Sequence, residues 1–265
     1  MYWSVNLEGG RWWYAHVVKL PECFSRGASR SDVLSLLDDV VEGRLAWIMA
    51  RGLDYPRLSG FKVIEEQHDV PELGESGGAV ALFKSDQTPI DEANLGDAVR
   101  LMQFSRDEVL SAVEQLTEEE LDACPIPKKR TVRLDITHIV NAEEWYISRL
   151  GPKYQRVYED NLGTIKEASR LSAVDRLRLT RGAMIPALEA ALRDGRQEPF
   201  TRRAYTRYPE EQWTLRKVLR RFLEHEREHL GTIKIVLNEC ACIARASPGT
   251  CARHSRSENL YMHDT

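Results

Sequence analysis

From Leu215 to Val236 the large apolar residues fall three or four positions apart, at Leu215, Val218, Phe222, Ile233 and Val236, and two histidines, His225 and His229, fill the gap in that series. A period of 3.6 residues is the mark of an amphipathic helix. Both imidazoles therefore lie on the face that turns toward a core. Burying two unpartnered imidazoles there is costly. A divalent cation removes the cost, because side chains four apart on a helix have Cβ atoms about 5–6 Å apart, and both rings can then reach one ion at about 2.0–2.1 Å. Glu224, Arg227 and Glu228 fall off this stripe.

Three further segments carry the same period. Leu95, Val99, Met102, Val109, Val113 and Leu116 define the first. The second starts near Arg133, carries Leu134, His138, Ala142 and Trp145, and stops at Gly151-Pro152. The third runs from about Ser172 to Leu192, where Gly182 and Pro186 are expected to kink or interrupt it. Thr214 is the expected cap of the fourth, histidine-bearing helix. Four amphipathic helices imply a bundle, and two connections of roughly 15–20 residues favour a crossover over short up-and-down loops. His138 lies on the stripe of its helix and is the candidate third ligand. Three protein ligands leave a position open for water or substrate.

A histidine early in the second helix, a Trp-Thr-Leu-Arg opening to the fourth (Trp213 to Arg216) and the His-x-x-x-His pair together resemble the DinB-like superfamily of metal-binding four-helix bundles, over residues 95–240. The resemblance implies a divalent ion, zinc or nickel foremost, held by His138, His225 and His229. Relatives of this kind include thiol-dependent S-transferases and isomerases. It therefore implies a low-molecular-weight thiol cosubstrate and a small electrophile, with metal-activated hydrolysis as the close second. The reading from another class is a non-enzymatic metal-bound stress or interaction module. Many such bundles dimerise, so a homodimer is compatible with the chain, although nothing in the sequence fixes the oligomer.

His225-Glu226-Arg227-Glu228-His229 also satisfies His-Glu-x-x-His, in which Glu226 would act as general base. Such hydrolases take a third ligand downstream, and the sequence there offers only His254, Glu258 and His263 in a stretch poor in large apolar residues. Glu226 thus reads as a solvated helix residue and a weak catalytic candidate. Cys240, Cys242, Cys251 and His254 match no common zinc spacing. Arg100, Arg106, Arg133, Arg220 and Arg221 are candidates to hold a substrate carboxylate, and Tyr146 and Trp145 to line a pocket, with core packing the favoured reading for Trp145.

The first third is β-rich. Residues 2–7 and 11–18 hold β-branched and aromatic types around Glu8-Gly9-Gly10, a hairpin signal. A third strand at Phe24–Ala28, a helix over 33–48 capped by Ser29 or Ser31, and a last strand at Phe61–Glu65 follow. Trp13 should face one side of the sheet and Trp12 and Tyr14 the other; one face should pack on the helix at 33–50 and the other dock onto the bundle or a partner. The β-β-β-α-β order, the Gly-Gly turn and Lys19-Leu20-Pro21-Glu22-Cys23-Phe24 resemble the HicB-like antitoxin domain. That resemblance implies a small binding or packing module; no DNA-binding element is appended to it. The expected organisation is an α+β unit at 1–66, a linker at 67–94 with a short strand at Ala79–Phe83, an all-α bundle at 95–243 and a disordered tail at 244–265.

Composition narrows the class. With 42% hydrophobic and 29% charged residues, the chain is neither disordered, collagen-like nor disulfide-dense. A net charge of -4 argues against nucleic acid or a membrane surface as partner and leaves a small molecule. No apolar run is long enough to span a bilayer. The start of the chain lacks a basic region leading into an apolar core. Five cysteines without paired spacing fit a reducing cytoplasm.

Overall fold

The computed structural model describes residues 1–20, 22–123, 126, 130–163 and 170–245, with side chains as far as Cys242. Pro21, Cys124, Cys251, His254, Glu258, His263 and all but the first two residues of the expected tail lie outside the described residues.

The chain opens with β1 (Trp3–Gly9), β2 (Trp13–Val17) and β3 (Phe24–Gly27), then α1 (Arg30–Ser35), α2 (Leu37–Met49) and β4 (Phe61–Gln67). Ser29 caps α1 by accepting the Asp32 N–H, and the expected single helix is divided at Leu36. The sheet order is β3-β2-β1-β4. β1 pairs antiparallel with β2 through the tight turn and parallel with β4, which requires the α1–α2 crossover. Gly10 is obligatory in that turn: a Cβ there would stand 2.4 Å from the Val70 carbonyl oxygen.

Both faces of this sheet are covered. Val5, Leu7, Ala15 and Val17 join Val33, Leu37, Val41 and Leu45 in the core. The alternate residues Tyr14, His16 and Arg26 reach side chains of the long C-terminal helix, and Glu8 accepts the Ala81 N–H from the stretch 67–94. The glycine-rich stretch 67–94 buries Val70, Leu73, Ala79, Ala81 and Phe83 against Tyr14 and Phe24. No strand forms at Ala79–Phe83. The extended backbone there donates its Ala81 N–H to Glu8 and enters a 3-10 turn at Lys84–Gln87.

The rest is helical: α3 (Glu92–Val113), α4 (Glu118–Asp122), α5 (Val132–Leu150), α6 (Pro152–Leu162), α7 (Ala173–Arg193) and, after a small ribbon of β5 (Phe200–Thr201) and β6 (Gln212–Trp213), α8 (Leu215–Arg245). Asp91, Thr131 and Ser172 cap α3, α5 and α7. Thr214 caps α8, accepting the Lys217 N–H at 3.1 Å. The expected interruption of α7 does not occur. Pro186 forgoes one backbone hydrogen bond, and burial of Ala183, Met184, Ala187, Leu188 and Ala191 holds the helix together. α5 packs on α7 and α8, and α3 packs on the same two. Consecutive helices α3 and α5 therefore stand across the bundle from each other, the crossover that the long connections imply. No helix among the described residues is long and apolar enough to cross a membrane.

A polar layer divides the bundle core. Each long helix places one charge inside: Arg106 on α3, Glu143 on α5, Arg181 on α7 and Glu226 on α8, all buried. Arg106 and Arg181 each donate to both carboxylates, at 2.5–2.6 Å. Apolar clusters lie on either side, one containing Met102, Tyr146, Met184 and Phe222, the other Val109, Val140, Leu177 and Leu230. The charges sum to zero, which makes burial of four ions tolerable.

Two consequences are measurable. Removing one partner of a buried ion set leaves another unpaired, at a cost of about 3 kcal/mol or more. Glu226→Gln should therefore lower unfolding free energy by that amount in denaturant titrations; a change within error would show that the quartet contributes nothing net. His16 is fully buried between Glu224 (2.7 Å) and Glu8 (2.9 Å). Burial pushes its pKa down, the two carboxylates outweigh this, and the net is a raised value. The Glu224 carboxyl, despite burial, is held down to about 2 by His16, Arg220 and Arg221. His16 thus contributes stability in full below about pH 6.5, and this is lost as pH rises through its raised folded value; Glu224 contributes above about pH 4.5, lost as pH falls toward 2. Stability measured against pH should fall on both sides of this window, and His16→Gln should flatten the alkaline limb. An unchanged alkaline limb in that variant would refute the assignment.

Candidate metal centre

α8 brings His225 and His229 to one point because they are a single turn apart, and α5 brings His138 to meet them. The ring centroids are 4.4 Å apart for His225–His229, 4.7 Å for His138–His229 and 4.9 Å for His138–His225. One ring nitrogen from each falls within 4.8 Å of the others. The Nε2 atoms of His138 and His225 are 3.1 Å apart. Two ligands at 2.0–2.1 Å from a tetrahedral ion lie about 3.4 Å apart, so this edge needs little adjustment.

The third ring is oriented from behind. His229 donates Nδ1–H to Asp135 Oδ1 at 3.0 Å, which leaves its Nε2 lone pair bare. Asp135 is buried three residues before His138, on the same face of α5. Burial, reinforced by the neighbouring His229 and Arg130, lowers the His138 pKa to about 3. Burial and the neighbouring His229 and His138 lower that of His225 well below the usual range. Both rings are therefore neutral near pH 7, the form that coordinates a metal.

The three histidines open onto a cavity of about 740 Å³. Trp145 and Tyr146 of α5 line one side, as the sequence suggests, and Trp145 also packs edge-on against Trp213 at 5.2 Å. The opposite wall comes from the N-terminal unit: Trp12, Tyr14 and Arg26 from the sheet region, and the glycine-rich chain from Leu73 to Val80. Tyr14 and Arg26 both donate to Glu228 Oε1, at 3.3 and 3.2 Å. Trp12 and Tyr14 share one face, as expected, and the structure turns that face to the bundle; Trp13 turns elsewhere, edge-on to His68 at 5.4 Å.

Several expectations change. Glu226 is not a solvated residue; it is buried and bound to Arg106 and Arg181, so its carboxylate is committed to the bundle core and unavailable as a base. The presumed outer face of α8 is covered as well: Glu224 bonds His16, and Lys217 donates to the Val80 carbonyl. The N-terminal unit supplies that cover, and helix periodicity alone contains no record of it. Among the candidate arginines, Arg106 belongs to the core quartet, Arg133 pairs with Glu118 and Asp122 at the surface, Arg220 pairs with Asp86 and Glu224, and Arg100 is exposed. Arg221 reaches the cavity. Asp135 and Arg130 are cavity residues that the sequence reading passed over; the Asp-x-x-His spacing was the signal for Asp135. Cys240 and Cys242 sit two apart on α8, too near in sequence to share a face, and Cys251 and His254 lie outside the described residues.

No curated protein matches the chain. YfiT from Bacillus subtilis, described as a probable metal-dependent hydrolase with an unusual four-helix bundle topology, is a solved structure with 16% identity and a TM-score of 0.43, covering 62% of this chain and 95% of that one. The family model of the DinB superfamily matches residues 101–233, half of the chain, and this protein belongs to that superfamily.

Proposed function

We propose that this protein is a divalent-metal-dependent enzyme acting on a small molecule, with transfer of a thiol to a small electrophile as the reaction. The observation that carries the reading is the convergence of His138, His225 and His229 on the floor of a 740 Å³ cavity. The donor set suits zinc or nickel: three imidazoles, one of them aimed by a buried carboxylate. A bound ion would lower the pKa of a thiol or water entering its open position. Asp135 fixes the tautomer of His229, and the aromatic walls exclude bulk water and orient the carbon skeleton of a substrate. Metal-activated hydrolysis is the second reading, since the same open position serves water; Glu226 has no part in it. The β-β-β-α-β unit, which we read as a HicB-like module, serves here as a cavity wall.

Elemental analysis of the natively purified protein should find about one divalent ion per chain. His138→Ala and His225→Ala should lose it with the helical circular dichroism signal retained, and Asp135→Asn should weaken metal affinity by about 10–100-fold. Full metal content in both alanine variants would overturn the site. A screen of thiol and electrophile pairs beside simple esters decides between the reactions, and turnover of esters alone would replace transfer with hydrolysis.

A further inference from the structure

Four arginines line the cavity: Arg11, Arg26, Arg130 and Arg221. Three are committed. Arg11 bonds Glu75 at 2.8 Å. Arg26 bonds Glu228 and lies over the Trp12 ring at 4.8 Å. Arg221 bonds Glu224 at 3.1 Å. Arg130 differs. Among the described residues its polar contact is Asp135 Oδ1 at 3.9 Å, beyond hydrogen-bond length, to an oxygen that already accepts from His229. Its side chain is 39% exposed, so the guanidinium is partly withdrawn from water while its pairing with Asp135 stays long and is shared with His229. It stands immediately before the cap of α5, two contacts away from a histidine of the metal centre.

We propose that Arg130 is the anchor for the carboxylate of a small organic acid bound in this cavity, beside the metal centre. This deepens the metal-enzyme reading and rests on it. The four arginines that line the cavity are balanced by Glu8, Glu75, Asp135 and Glu228, and imidazole ligands add no negative charge, so a bound dication beside Arg130 would leave the cavity with excess positive charge. Such a field selects an anion. The guanidinium fork matches a carboxylate in two parallel hydrogen bonds. Trp145, Tyr146 and Tyr14 offer apolar surface to the remainder of the molecule. The ligand class is therefore a short acid whose other end, a thiol or an electrophilic carbon, reaches the histidine-bound position.

Isothermal calorimetry on the zinc-loaded full chain provides the test, with 3-mercaptopropionate and its neutral amide as probes. The wild type should bind the acid about tenfold more tightly than the amide, or better. Arg130→Gln should abolish that preference without changing affinity for the amide, and Arg130→Lys should restore part of it. Equal affinity for acid and amide in the wild type, an undiminished preference in Arg130→Gln, or no binding of either probe would overturn the proposal. Zinc content measured on the same samples separates the two readings. A chain that retains no zinc defeats the metal reading, and its preference between succinate and succinamide still judges Arg130.

Discussion

The charge-neutral layer of Arg106, Glu143, Arg181 and Glu226 is the constraint around which the bundle is arranged. Each of the four long helices supplies one member, so no helix can slide or rotate against the others without stranding a buried ion. Fixing the register of α5 against α8 in this way also fixes where His138 meets His225 and His229, since Glu143 is five residues beyond the first and Glu226 is adjacent to the second. The layer costs desolvation that an apolar core would avoid. In return it pins the helices at the depth where three imidazoles must converge to within 4.8 Å.

α8 has little surface to spare for water along its first five turns. One side carries the bundle stripe and the histidines. The other faces the sheet, where His16 joins Glu8 of β1 to Glu224, and Arg220 joins Asp86 to the same carboxylate. The N-terminal unit is thereby bonded to the residue next to a histidine of the candidate metal centre, and the apolar core runs continuously from Trp3 to Leu223. Division of the chain into a front unit and a bundle describes its sequence better than its packing. The cavity shows the same thing: half of its wall belongs to strands and loops that precede the bundle.

Much of the fold was legible in the residues. The three-strand start, the crossover helix, the last strand and the four long helices all follow from periodicity and caps, because those signals are local: Ser29, Thr131, Ser172 and Thr214 each bond a backbone N–H three residues on. The short α4 and α6 were missed within connections, and a strand was expected at Ala79–Phe83 where the chain is extended but bonds a carboxylate in place of a neighbouring strand. Gly-rich composition reads as linker, and composition carries no information about burial of Leu73 or Phe83 under Tyr14 and Phe24.

The sequence by itself determined which long helices form and that His225 and His229 lie on the apolar face of α8, because a 3.6-residue period settles both without reference to any other element. For α5 the expected stripe of Leu134, His138, Ala142 and Trp145 was not the core face: Leu134 is exposed, the core takes Ile136, Ile139, Val140 and Ile147, and His138 stands at the edge, half-buried toward the cavity. Tertiary structure alone decided what those faces meet. It placed Glu226 in the core and out of the chemistry, set Asp135 behind His229, and raised a cavity wall from Trp12, Tyr14 and Arg26. Those outcomes rest on contacts between residues as much as 214 positions apart, such as Tyr14 with Glu228. A contact of that kind is set by how whole elements stack, and no local pattern along the chain encodes it.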